Sequence, residues 1–95
     1  MAKGYWVTFY RSAPEPAALA EYARQGTIAI QAGGGRFIAR GAAVKVYEAG
    51  LSQRSVVIEF DSVEKAIAAY ESPAYQAALK ELGPVEREVR IIAGV

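Results

Sequence analysis

Residues 31–42 read QAGGGRFIARGA: three glycines, two arginines around a short apolar run, then a fourth glycine. One reading makes this a phosphate cradle. A dinucleotide fingerprint needs G-x-G-x-x-G between a strand and the helix that follows it, yet counting from Gly33 the sixth position is Ile38, and the run leaves a helical pattern to enter a strand pattern. No Gly-Lys-Ser/Thr follows either, so a P-loop fails as well. Gly34 and Gly35 are therefore expected to serve the backbone, as a helix C-cap and turn, and Gly41 to mark a bulge or bend in a long strand. Arg36 and Arg40 are left to be explained.

Outward from this turn the elements alternate. Upstream, RSAPEPAALAEYARQGTIAIQA opens with prolines suited to a first helical turn and sets Leu19, Tyr22, Ala23 and Ile30 on one stripe, with Gly26 weakening it. Before that, YWVTFY (5–10) is a β-rich, aromatic strand. Downstream, RFIARGAAVKVYEAG and RSVVIEF form a hairpin across a turn containing Gly50 and Ser52. DSVEKAIAAY starts a second helix, with Asp61 and Glu64 at capping-box spacing and Val63, Ile67 and Tyr70 on a stripe. Ser72-Pro73 restarts it, Tyr75, Leu79 and Leu82 continue its apolar face, and Gly83-Pro84 ends it. VEREVRIIAG is a last strand. The order βαββαβ predicts an α+β, ferredoxin-like sandwich, an antiparallel sheet with helices on one face, as a single domain over residues 1–95.

Composition narrows function. Of 95 residues 53% are hydrophobic and 22% charged, which is globular, and 11 basic against 10 acidic residues leave a net charge of +1. Neither a basic footprint for nucleic acid nor a run long enough to span a membrane is present, and the start MAKGYWVTFYRS has no unbroken apolar core of a leader. A cytoplasmic protein without nucleic-acid or membrane partners is expected. With no His and no Cys, disulfides, thiolate nucleophiles, histidine bases and the usual zinc and haem ligands drop out. No cofactor and no metal site are expected; a metal or haem enzyme would have only carboxylates, tyrosines and Met1 as ligands.

KGYWVTFY, GGRFIARG, the Glu and Gly of YEAG, RSVVIEFDS and YESPAYQAALKEL occur in the order and spacing of the DUF1330 family, which the chain resembles over nearly its whole length. The resemblance implies ferredoxin-like subunits paired as a dimeric α/β barrel, in a superfamily that also holds cofactor-free monooxygenases, isomerases and haem-degrading proteins. It implies no reaction.

If the helices cover one sheet face, that face is expected to carry Val7, Phe9, Val56, Ile58, Phe60, Val89 and Ile91. The other would carry Trp6, Thr8, Tyr10, Ser55, Val57, Glu59, Arg90 and Ile92, with Ile38 and one or both of Arg36 and Arg40. So apolar a face, on a domain that buries only about 60 to 65% of its unfolded surface, predicts a homodimer closing over it. A small anionic or aromatic metabolite is the expected ligand. Arg40 with Arg36 or Arg90 would clamp its charge, Trp6 would stack, and Glu59 would either pair with an arginine or act as a base of raised pKa. The plainer alternatives make Arg36 and Arg40 strand charges paired with Glu48 and Glu59, and Trp6 an interface or core aromatic. Tyr22, Tyr70 and Tyr75 are expected to pack, with hydroxyls at a pocket edge, and EREVR to be solvated. Two functions follow: a small-molecule binder or cofactor-independent enzyme, or a non-catalytic dimeric regulatory or scaffold module.

Overall fold

A computed structural model describes residues 2–95; Met1, counted above as a ligand, lies outside it. The elements are β1 (Gly4–Tyr10), α1 (Pro16–Ala32), β2 (Arg36–Ala42), β3 (Arg54–Phe60), α2 (Val63–Glu71), α3 (Pro73–Lys80) and β4 (Arg87–Ala93). The strands form one antiparallel sheet in the order β2-β3-β1-β4, the ferredoxin-like arrangement that the element order predicts.

Local chemistry sets the helix ends. The Glu15 carboxylate accepts from Ala18 N at 2.8 Å and Pro16 occupies the first turn of α1, where its missing N–H costs nothing. The α1 C-terminus closes through Gly33 and Gly34, and Gly34 takes φ 94°, a conformation that only glycine adopts cheaply. Gly35 serves a different purpose from the expected turn: a Cβ there would stand 2.6 Å from Ile30 and 2.8 Å from Phe60, so its smallness lets the chain pass tight against the core. The second helix is two. The Ser72 hydroxyl donates to the Ala69 carbonyl at 2.8 Å and accepts from Tyr75 N at 3.2 Å, ending α2 and starting α3 with one group. Ser62, not Asp61, caps α2, accepting from Lys65 N, because the helix begins one residue later than the Asp61–Glu64 spacing suggests. That phase buries Ala66 and Ala69 and leaves Ile67 exposed.

Two face assignments differ from expectation. In β1 it is Trp6, Thr8 and Tyr10 that point at the helices, while Val7 and Phe9 face out. Register leaves no choice: Trp6 lies opposite Ile58 on β3 and Ile91 on β4, residues already committed to the core. Trp6, 1% exposed, then fills the space between Phe60, Tyr70 and Tyr75, and its indole N–H is satisfied by Thr8 Oγ1 at 2.8 Å. In β2, Phe37 pairs with Ile58 and Ala39 with Val57, so Ile38 is an extra residue in a β-bulge. The bulge precedes Gly41, which stays paired with Ser55. It breaks the even spacing of Arg36 and Arg40: Arg36 faces out opposite Glu59, and Arg40, opposite Val56, faces the helices.

Candidate functional site

At the sheet end where β1 stops and β3 and β4 begin, three residues point toward α1 side by side. Tyr10 pairs with Arg87 on β4, and Arg54 on β3 lies one step beyond the Phe9–Ser55 pair, on Tyr10's other side. Adjacent strands sit about 4.8 Å apart, so Arg54 and Arg87 flank Tyr10 at a separation of about 10 Å. Arg40 enters from β2 one step along. Tyr22, Gly26 and Thr27 of α1 roof the space, and Trp6, Phe37, Val56 and Ile58 form its floor.

The cleft so formed encloses about 20 Å³, room for a water or two, within some 350 Å³ counted out to open solvent. Arg87 is its centre. Its Nη2 donates to the Tyr75 hydroxyl at 2.7 Å and its Nη1 to those of Tyr22 at 3.3 Å and Tyr10 at 3.5 Å, and its guanidinium lies over the Tyr10 and Tyr22 rings. Tyr22 and Tyr75 hydroxyls are themselves 2.7 Å apart. Arg40 lies over Phe37, 4.3 Å from the ring centroid, and donates to Thr27 Oγ1 at 3.3 Å, joining β2 to α1 across the cleft mouth.

The electrostatics are one-sided. No carboxylate lines the cleft. Among the described residues the ion pairs use Lys3, Arg11, Arg24, Arg36, Lys65 and Arg90 as cations, and none uses Arg40, Arg54 or Arg87. Burial, reinforced by the neighbouring Tyr22, pushes the Tyr75 hydroxyl far above the ordinary phenol range. Burial likewise raises Tyr10, against the charges of Arg87 and Arg54. Burial alone would weaken the hold of Arg87 on its proton, but the Tyr22 and Tyr75 oxygens outweigh it and the guanidinium stays charged. The cleft thus offers charged and neutral donors and no basic group.

The residues expected to form a site are divided between the two sheet faces. Trp6 and Arg40 line the cleft. Arg36, Glu59 and Arg90 lie on the open face, where Arg36 Nε meets Glu59 Oε1 and Arg36 Nη2 meets Asp61 Oδ1, both at 3.1 Å. Arg90 pairs with Glu88 at 2.9 Å, and Arg11 reaches the same carboxylate. Glu59 is not a base of raised pKa: the Tyr5 hydroxyl at 2.9 Å, then Arg36, hold its carboxyl below the usual carboxylate range. Arg40, Arg36 and Arg90 therefore do not converge. What the expectation missed is Arg87, Arg54 and the inward Tyr10. A signal was present, since Arg87 is in phase with Val89 and Ile91, and Arg54 with Val56 and Ile58, the apolar parity of each strand.

Solved structures share the fold at low identity. A protein of unknown function from Rhodopseudomonas palustris superposes with a TM-score of 0.75 at 15% identity, over 99% of this chain and 83% of that one. SnoaB, described as a cofactor-independent oxygenase from Streptomyces nogalater, gives 0.67 at 12% identity, over 100% and 95%. A protein described as dimeric, ferredoxin-like and of unknown function from Thermobifida fusca gives 0.57 at 19%, over 97% and 91%. No curated protein matches the sequence. The family model Domain of unknown function (DUF1330) matches residues 3–95, and the chain belongs to that family.

Proposed function

We propose that this protein binds a small anionic molecule in the cleft between α1 and the sheet. One observation carries the reading: a partly buried guanidinium, Arg87, is held in place by three tyrosine hydroxyls with no carboxylate against it, beside two further unpaired arginines. Fixing a long cation in a half-dry cleft is unfavourable unless something returns the lost hydration, and an anion does so through charge-assisted, bidentate bonds. With no carboxylate, imidazole or thiolate lining it, the cleft favours binding over base catalysis.

Two copies are expected to pair through the open sheet face; the Thermobifida neighbour is described as dimeric. That face exposes Phe9 (44%) and Ile92 (51%) around Val7 and Val57.

The test is thermal unfolding across a panel of small anions, with neutral analogues and sodium chloride at matched ionic strength. Anions should raise the wild-type midpoint by a few degrees through preferential binding to the native state, and should not raise that of Arg54→Met or Arg87→Met. A midpoint that no anion moves, at concentrations where the panel is soluble, overturns the reading.

A further inference from the structure

The hydroxyl protons of the cleft do not balance. Arg87 donates to Tyr10, Tyr22 and Tyr75, so each phenol oxygen already accepts a bond. The Tyr22–Tyr75 contact consumes one of that pair's two protons. The second proton of the pair, and that of Tyr10, meet no acceptor among the described residues, although all three tyrosines are buried. Two O–H donors beside a guanidinium are left for acceptor atoms from outside the chain.

We infer that the group held here is a carboxylate carried on an apolar body, its two oxygens taking the surplus hydroxyl protons and a fork of Arg87. This rests on the cleft being the binding site, and it narrows the ligand. A phosphate is the competing anion, and two features disfavour it. Phosphates are usually cradled by backbone N–H groups at a helix start or a nest, but α1 meets the cleft through Tyr22 to Ile30, mid-helix, where the N–H groups are spent. The floor, Trp6, Ile30, Phe37, Val56 and Ile58, is apolar apart from the indole edge, already bonded to Thr8, while Thr27, Arg40 and Arg54 belong to the polar part of the lining. An aryl or short aliphatic carboxylic acid matches the chemistry of that floor, its head at Arg87 and its body in the part of the cleft open to solvent.

Calorimetric titration with benzoate, hexanoate, benzamide and inorganic phosphate tests this. Benzoate or hexanoate should bind at millimolar concentration or tighter. Benzamide should bind at least about tenfold more weakly, because it lacks the charge, and Tyr10→Phe should weaken carboxylate binding about tenfold with circular dichroism unchanged. Phosphate binding without either carboxylate overturns the carboxylate assignment and leaves the anion reading standing. Benzamide matching benzoate, or Tyr10→Phe binding like wild type, overturns the assignment too. No binding by any anion overturns both.

Discussion

The Tyr75 hydroxyl accepts from Arg87 and bonds Tyr22, each at 2.7 Å, in a side chain with no exposed surface. Tyr75→Phe leaves a guanidinium N–H dry and should cost about 1–3 kcal/mol, read as a lower denaturant midpoint at unchanged m. Because the folded state raises the Tyr75 pKa, it holds that proton more tightly than the unfolded chain does. The stabilisation is therefore complete below about pH 10, the ordinary phenol value, and is lost as pH climbs past it. Wild-type stability should decline above about pH 10, with a shallower decline in Tyr75→Phe; equal slopes would assign the loss to other groups. The tyrosines were legible as packing residues with hydroxyls at a pocket edge. The guanidinium they hold was not, because Arg87 sits in EREVR, a string that resembles any solvated charged run. Only its parity with Val89 and Ile91 marks it as inward.

Elements were easier to read than their faces. The βαββαβ order and the restart at Ser72-Pro73 follow from turn chemistry and periodicity, which are local. The β1 faces do not: in YWVTFY both parities are β-formers with aromatic rings, so alternation cannot say which side is inside, and the answer comes from pairing with β3 and β4. The β2 bulge is likewise a property of the pair of strands, since nothing in RFIARG announces that Ile38 has no opposite number. It yields a counter-intuitive expectation. Deleting Ile38 should preserve the site, because Phe37 would keep Ile58, Ala39 would keep Val57 and Arg40 would keep Val56. Inserting a residue after Ala39 should turn Arg40 out of phase and abolish anion binding. Binding by the deletion variant, and its loss in a folded insertion variant, would confirm that residue count sets the face of Arg40; the reverse pattern would refute it.

At the scale of the whole molecule the open face is the unfinished surface. Val7, Phe9, Val57 and Ile92 lie together there, flanked by the Arg36–Glu59–Asp61 cluster and the Arg11–Glu88–Arg90 cluster. Two-fold pairing would bury the apolar centre and let the charged ends remain satisfied within each copy. Light scattering should give twice the chain mass at micromolar concentration, and Phe9→Lys should shift it to the monomer while the chain stays folded, since Phe9 is outside the core. A monomeric wild type would remove the proposal. Trp6→Lys, by contrast, should unfold the chain outright. That this face is partly apolar was legible, although Trp6 and Tyr10, counted in it, belong to the interior. That interior place makes Trp6, the chain's one tryptophan, an intrinsic optical probe. Its ring meets Tyr70 at 5.2 Å and Tyr75 at 4.7 Å between centroids, so excitation absorbed by the tyrosines drains to a single emitter in the cleft floor. Its fluorescence should be blue-shifted in the native protein and change in intensity when a ligand reaches Arg87, which allows titration without a label. Because sheet, α2 and α3 all enclose the same indole, its red shift on unfolding should coincide with the loss of far-ultraviolet dichroism.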